Sequence, residues 1–196
     1  MPAPLRPLVS IVALAALVFA LGACQTVRDA VAGEPAVAPS VWSGKTFFTQ
    51  HGLRHENNRW RTTNYQVGIL VPVNTEVEVR SMDARRATLY VRPSGPELLV
   101  ENVEKHTAKS MADAFADLCG ERPVDLSGFT ADERRFVAEG RVEPGMRKEA
   151  VLAAIGPPPA IGTPTLDSHE WKYWRTRFTT FLLRFEDGVL AEQIGR

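Results

Sequence analysis

The last third of the chain carries the pattern that most constrains its fold, an alternation of apolar and polar residues around a tight-turn signal. Aromatic and charged residues alternate over 170–173, and apolar residues recur at every second position over 181–185. Such alternation is typical of strands with one buried face. Asp187-Gly188 favours a two-residue hairpin loop, because both residues tolerate positive φ. With a returning strand over 189–194, the segment predicts three antiparallel strands.

Two helices are predicted just before these strands. Thr130 and Glu133 have the spacing of a capping box, in which each side chain satisfies a free backbone donor of the first turn. This helix would run to about residue 139, with Gly140 as its C-terminal stop. A helix pair on one face of a three-stranded sheet would bury both apolar faces.

The second helix of the pair is expected to open at Gly145-Met146 and to end at Gly156-Pro157. Its predicted apolar face consists of Met146, Ala150, Val151, Ala154 and Ile155.

Residues 41 to about 103 favour short strands separated by turn signals. Residues 76–80 and 87–92 alternate, and 97–103 make another short strand, which predicts a small antiparallel sheet or a partly closed barrel. A helix should follow, with its apolar stripe at Ala108, Met111, Ala112, Phe115 and Leu118.

Cys119 follows this stripe. It is expected to be a buried and inert thiol, and pairing with another chain is the alternative.

The N-terminus has the organisation of an export signal. Arg6 precedes an uncharged apolar run over 11–21, and small residues lead to Cys24. The run is too short to cross a bilayer as a helix, which needs about 20 residues, but it has the length of a signal-peptide core. Residues 1–23 are therefore predicted to be a signal peptide.

Residues 21–24, Leu-Gly-Ala-Cys, resemble the lipobox of bacterial lipoproteins. The resemblance implies cleavage before Cys24, a diacylglyceryl thioether on its sulfur and a further acyl chain on its new amino group. Several acyl chains would anchor the protein stably, whereas one chain holds only marginally. A plain signal peptide with a coincidental cysteine is the alternative. Gln25 replaces the Asp that retains some lipoproteins at the inner membrane, so the comparison implies the periplasmic face of the outer membrane.

Residues 24–40 are rich in Ala, Val and Pro and have few charges, which predicts a flexible tether. The sequence therefore predicts four parts: a lipoprotein signal peptide over 1–23, the tether over 24–40, a β-rich region with a following helix over 41–123, and an α-α-β-β-β unit over 124–196. The expected fold class is α+β.

A series of short motifs runs in order through the C-terminal unit. They are Gly145-Met146, Val151, Ile155-Gly156-Pro157, Trp171, Tyr173, Phe185, Asp187-Gly188 and Val189. Joined to a lipobox, they resemble the SmpA/OmlA lipoproteins, the BamE-like accessory subunits of the outer-membrane β-barrel assembly machine. The resemblance covers about residues 140–194 and implies contacts with envelope or β-barrel assembly proteins. Arg147 stands where that family usually has Thr or Ser, which leaves Gly145 as the expected helix cap.

The sequence contains no convincing catalytic signature, and no cofactor is expected. It has 23 basic and 23 acidic side chains, so its charge predicts no general attraction for nucleic acid. His51 and His55 are four residues apart and would share one metal ion if the segment were helical, whereas solvated histidines are the favoured interpretation. Trp174, Arg175 and Arg177 are the candidate partner-binding residues, because Trp and Arg are frequent binding anchors.

These observations predict a non-enzymatic, lipid-anchored interaction module of the bacterial envelope, with a role in outer-membrane assembly or envelope maintenance. Two alternatives stay open. One is a membrane-tethered metal-binding protein or enzyme that uses His51 and His55, and the other is a structural envelope protein.

Overall fold

The computed structural model describes residues 41–195, all within one compact unit. The predicted signal peptide, Cys24 and the tether lie outside the described residues. The described chain is a mixed α+β structure, which confirms the predicted fold class.

The first part of the described chain is dominated by strands. They pair as a six-stranded sheet in the order β3-β7-β6-β5-β1-β8 and as a separate β2-β4 pair. Its elements are β1 (Thr46–Thr49), β2 (Leu53–His55), β3 (Arg59–Arg61), β4 (Ile69–Val71), β5 (Glu76–Met82), β6 (Arg86–Val91), β7 (Glu97–Glu101), α1 (Glu104–Thr107), α2 (Met111–Leu118) and β8 (Cys119–Gly120).

An antiparallel sheet was predicted, but the six-stranded sheet is mixed, because β3 runs parallel to β7. A tight turn at Asn57 and Asn58, both with positive φ, leads from β2 into β3. Parallel pairing requires a long crossover between the two strands, and the chain from β4 to β6 supplies it.

The alternation in β5, β6 and β7 directs their apolar side chains into one core. Val77 and Val79 of β5 are fully buried beside Leu89 of β6 and Val100 of β7. Helix α2 belongs to the same core through its buried side chains Met111, Ala114, Phe115 and Leu118.

Two positions of the predicted α2 stripe are wrong. Ala112 is exposed and Ala114 is buried in its place. Ala108 precedes the helix and adopts a left-handed conformation with φ 55° at the end of α1. The side chain of Ser110 then caps α2 by accepting a hydrogen bond from the backbone N–H of Asp113, so the helix begins later than the apolar spacing suggests.

The second part of the described chain has the predicted order of two helices and three strands. The strands form an antiparallel sheet in the order β11-β10-β9. The elements are α3 (Ala131–Ala138), α4 (Lys148–Ile155), β9 (Glu170–Trp174), β10 (Thr180–Glu186) and β11 (Val189–Ile194).

The predicted features of this part are largely confirmed. Thr130 and Glu133 form the capping box of α3, and Gly140 follows the helix with φ 58°. Asp187 and Gly188 both have positive φ in the β10–β11 hairpin. The second core contains the five expected residues of the α4 stripe and the inward side chains of the sheet: Met146, Ala150, Val151, Ala154, Ile155, Trp171, Tyr173, Phe181, Leu183 and Phe185.

The start of helix α4 differs from the prediction. The helix begins at Lys148, and its N-cap residue is Arg147 rather than Gly145. The Arg147 side chain makes no capping bond, but the Glu133 carboxylate of α3 accepts a hydrogen bond from the Arg147 backbone N–H at 3.0 Å. A side chain from the neighbouring helix therefore satisfies the backbone N–H of the N-cap residue, as the glutamate of a capping box does.

Between residues 41 and 195, no helix has the length and apolar character that crossing a bilayer requires.

Candidate binding groove and the His51 cavity

An arginine-lined groove lies beside strand β3 and the loop between β9 and β10. Its cavity volume is about 530 Å³. Four arginines and one glutamate supply its charged side chains: Arg54, Arg59, Arg61, Arg177 and Glu56. A chain with equal numbers of acidic and basic residues thus concentrates positive charge in one place.

The ion pairs of these arginines do not neutralise that charge. Glu101 is shared by Arg61 at 3.0 Å and by Arg59 and Arg86 at 3.8 Å each. Among residues 41–195, Arg54 donates only to backbone carbonyl oxygens, including that of Gly140 at 3.2 Å. Because carbonyl oxygens carry no formal charge and Arg59 and Arg61 of the groove share one carboxylate, these described residues leave the groove with a positive excess.

The loop that borders the groove exposes an aromatic ring. Phe178 is 80% exposed, and the guanidinium carbon of Arg177 lies 4.4 Å from its ring centroid. The hydroxyl oxygen of Thr176 accepts hydrogen bonds from the backbone N–H groups of Phe178 and Thr179. These bonds hold the loop in a turn with Phe178 at its tip.

The three predicted partner-binding residues do not lie together at the groove. Arg177 lines the groove, whereas Trp174 and Arg175 do not. Trp174 is half-buried, with Lys172 Nζ 5.5 Å from its ring centroid, and Arg175 lies over the Phe181 ring at 5.6 Å.

Sequence reasoning missed the other arginines of the groove. Three of them occur within eight residues, from Arg54 to Arg61, and flank Trp60. Such a local cluster of basic residues around an aromatic residue is a recognisable binding signal. The sequence does not show that Arg177, the fourth arginine of the groove, joins them, because it lies in a loop far away along the chain.

The floor of the groove contains a buried hydroxyl group without a partner among the described residues. Thr63 is almost fully buried and lines the groove, and its Oγ1 makes no hydrogen bond. An unsatisfied buried polar group is costly.

The expectation that His51 and His55 are solvated is wrong. Their residues are only 4% and 2% exposed, and burial lowers the pKa of both imidazoles. The segment is not helical, because His51 lies in a bend and His55 ends strand β2. Within residues 41–195, no group of three or more His, Cys, Asp or Glu side chains is placed to hold a metal ion.

His51 instead lines a second, smaller cavity of about 180 Å³. One wall belongs to the β-rich part of the chain and contains His51, Trp60 and Ala114, and the other wall is the proline connector Pro157–Pro159 after α4. Lys109 and Asp117 are at the same cavity and form an ion pair. Asn64 fastens the connector by donating from Nδ2 to the carbonyl oxygens of Ile155 and Pro157.

Cys119 is buried and is not in a disulfide. Burial raises its thiol pKa well above the ordinary value, so the thiolate that reacts with oxidants is disfavoured.

Comparisons of the chain with family models, with curated proteins and with solved structures find no match.

Proposed function

We propose that this protein is a non-enzymatic, lipid-anchored interaction module of the bacterial envelope, and that its arginine-lined groove binds an acidic segment of a partner protein. The observation that carries the proposal is the groove itself. Four arginines face one glutamate there, and an exposed aromatic ring stands at its edge. Arg binds carboxylates through two parallel hydrogen bonds, and Arg and aromatic residues dominate the energetics of protein interfaces.

Arg61, which lines the groove, already shows the kind of recognition that the groove would provide. Arg61 Nε donates to the Glu101 carboxylate at 3.0 Å. Arg59 lies near the same carboxylate. A partner carboxylate would therefore meet guanidinium groups that are positioned together and incompletely paired. Glu56 would repel such a partner, but the groove has four arginines against this one glutamate.

The envelope location and the anchor rest on the sequence. Residues 1–24 resemble a lipoprotein signal with its lipobox, and the helix–helix–sheet order of residues 124–196 resembles that of the SmpA/OmlA lipoproteins. In this proposal the partner belongs to the envelope, and the β-barrel assembly proteins are the first candidates. The acyl chains on Cys24 hold the groove close to such partners.

The decisive experiment is an affinity pull-down from cross-linked envelopes that contain the full-length protein with a C-terminal tag. The test variant is Arg177→Glu, which reverses one charge of the groove on an exposed loop. The matched control is Arg122→Glu, because Arg122 is also exposed but does not line the groove. We expect the native protein and the control to recover the same partner, and Arg177→Glu to lose most of it.

Salt provides a second readout of the same contact. Exposed charge pairs are screened at high ionic strength, so recovery without cross-linking should fall when salt is raised. Equal recovery by native protein and Arg177→Glu, insensitive to salt, would rule out the groove as the contact. A Phe178→Ser variant then distinguishes an apolar contact at the loop tip from the electrostatic one.

The anchor is tested separately with Cys24→Ala. The native chain should incorporate labelled palmitate and the variant should not, because acylation requires the cysteine sulfur. Palmitate incorporation that persists in Cys24→Ala would contradict the anchor without bearing on the groove.

A further inference from the structure

The arginine-lined groove is bordered by apolar residues as well as by charged ones. Tyr65 and Val67, both half-buried, line it from the connection between β3 and β4, and Phe178 lines it from the loop between β9 and β10. A segment that met only the arginines would leave the surface of these three residues in water. Because burial of apolar surface is favourable, the apolar residues bear on which acidic segments bind best.

Phe178 is the most prominent of these residues. Among residues 41–195 it is the one aromatic residue that is exposed. The guanidinium group of Arg177 lies over its ring, so a positive charge and an aromatic surface are presented side by side. Single exposed apolar residues are ordinary on protein surfaces, but this ring borders a groove that Tyr65 and Val67 also line.

From this arrangement we propose that the groove recognises an acidic segment that carries an aromatic side chain among its carboxylates, and not acidic character alone. The inference rests on the function proposed above and specifies the partner of that same groove. The carboxylates would accept paired hydrogen bonds from the arginines. The aromatic side chain would pack against Phe178, because aromatic pairs contribute more than the burial of their area alone.

The charge of the groove determines what surrounds that aromatic residue. Four arginines line the groove against the single carboxylate of Glu56, so basic residues beside the aromatic ring would be repelled. A neutral aromatic segment would cover guanidinium groups without replacing their hydration by carboxylates. The two parts of the segment are therefore required together.

Three synthetic peptides of equal length test the inference, each with the same Gly-Ser ends. Their central sequences are Glu-Glu-Phe-Glu-Glu, Glu-Glu-Ser-Glu-Glu and Lys-Lys-Phe-Lys-Lys. The full-length protein is held in nanodiscs of phosphatidylcholine, whose headgroup has no net charge, and peptide binding is measured by surface plasmon resonance against empty nanodiscs. We expect the acidic peptide with Phe to bind roughly tenfold more tightly than the one with Ser, because it buries an aromatic side chain. The basic peptide should not bind.

Salt separates the two contributions. Raising the ionic strength should weaken both acidic peptides, because exposed charge pairs are screened. The ratio of their affinities should stay the same, because the apolar contact is not screened.

A variant of the loop tip assigns the contact. Phe178→Ser should reduce the ratio of the two affinities to about one. The matched control is Ile161→Ser, because Ile161 is also exposed but does not line the groove, and it should keep the native ratio.

The outcomes distinguish this inference from the proposed function. Equal affinities of the two acidic peptides for the native protein, or a ratio that survives Phe178→Ser, would overturn the inference and leave recognition of acidic segments in place. If neither acidic peptide bound, or if the basic peptide bound as tightly as they do, the proposed function would fail together with the inference.

Discussion

The Glu133 carboxylate of helix α3 lies 3.0 Å from the backbone nitrogen of Arg147, the N-cap residue of helix α4, and accepts a hydrogen bond from it. The same carboxylate accepts two bonds from the Arg147 guanidinium, at 3.0 Å and 2.7 Å, and one from the Thr130 backbone N–H at 2.9 Å. Glu133 is 4% exposed. One buried carboxylate thereby satisfies the starts of two helices and joins them.

Replacing Glu133 with Gln should lower the free energy of unfolding by about 1–2 kcal/mol. Hydrogen bonds to charged groups contribute roughly 1.5–3 kcal/mol, and solvent at the half-exposed Arg147 guanidinium reduces that figure. Urea denaturation measures the change. The control is Glu139→Gln, whose exposed carboxylate pairs with exposed Arg141, and it should cost under about 0.5 kcal/mol. Equal losses of unfolding free energy in both variants would show that the buried hydrogen bonds of Glu133 stabilise the fold no more than an exposed ion pair.

The same carboxylate predicts a pH dependence. Its hydrogen bonds with Arg147 lower the pKa of Glu133 to about 2, whereas an unfolded chain has a glutamate pKa of about 4.3. A lowered folded pKa gives stability that is fully present above the unfolded pKa and is lost as the pH falls toward the folded one. The difference in unfolding free energy between native protein and Glu133→Gln should be constant above about pH 5 and shrink between about pH 4.3 and 2.

Buried His51 and His55 also weaken the fold in acid, because their lowered pKa values make their protonation unfavourable. The free energy of unfolding therefore falls as the pH drops below about 6.5, the ordinary pKa at which the two histidines of the unfolded chain take up protons. Both histidines are present in the native protein and in Glu133→Gln, so their effect cancels in the difference. A difference that began to shrink near pH 6.5 would contradict the assignment to Glu133.

Gly156→Ala should be among the most damaging single-methyl changes. Gly156 ends α4 with φ 75°, and a Cβ there would lie 2.6 Å from the His51 ring and 2.9 Å from Asn64 Nδ2. A non-glycine residue with positive φ and the extended ψ of Gly156, 177°, costs about 1–3 kcal/mol. Overpacking typically costs about 1–3 kcal/mol, so a loss of roughly 3 kcal/mol is expected in thermal or urea unfolding.

Gly145→Ala is the matched comparison for Gly156→Ala. Gly145 has φ 94°, but a Cβ there meets nothing within 4 Å. Only the backbone term applies, so its loss should be about 1–2 kcal/mol. If the two variants lose equal stability, the added methyl group at position 156 does not clash with the His51 ring, and the prediction is wrong.

Cys119 should be unreactive in the folded protein. In a Cys24→Ser variant it is the only thiol of the chain, and its burial raises the thiol pKa. Labelling with an aromatic disulfide reagent should be slow in buffer and complete within minutes in denaturant. Rapid labelling of the folded protein, or a covalent dimer without reducing agent, would contradict a buried and unpaired thiol.

The sequence was most informative where one residue pattern depends on its nearest neighbours. The capping box of Thr130 and Glu133, the hairpin at Asp187-Gly188 and the alternation of the last strands are local features, so spacing alone predicted them. The start of α4 could not be predicted in this way. The carboxylate that binds the backbone of its N-cap residue belongs to Glu133, fourteen residues earlier in the chain, and only packing of the two helices brings the groups together.

The same contrast between local patterns and distant contacts separates the fold from the candidate sites. The sequence by itself determined the α+β class, the order of the C-terminal elements and the residues of their buried faces, because these follow from periodicity and turn chemistry. The tertiary structure decided that Arg177 joins Arg54, Arg59 and Arg61 in one groove and that His51 and His55 are buried. These outcomes depend on contacts between residues far apart in the chain, which no local pattern specifies.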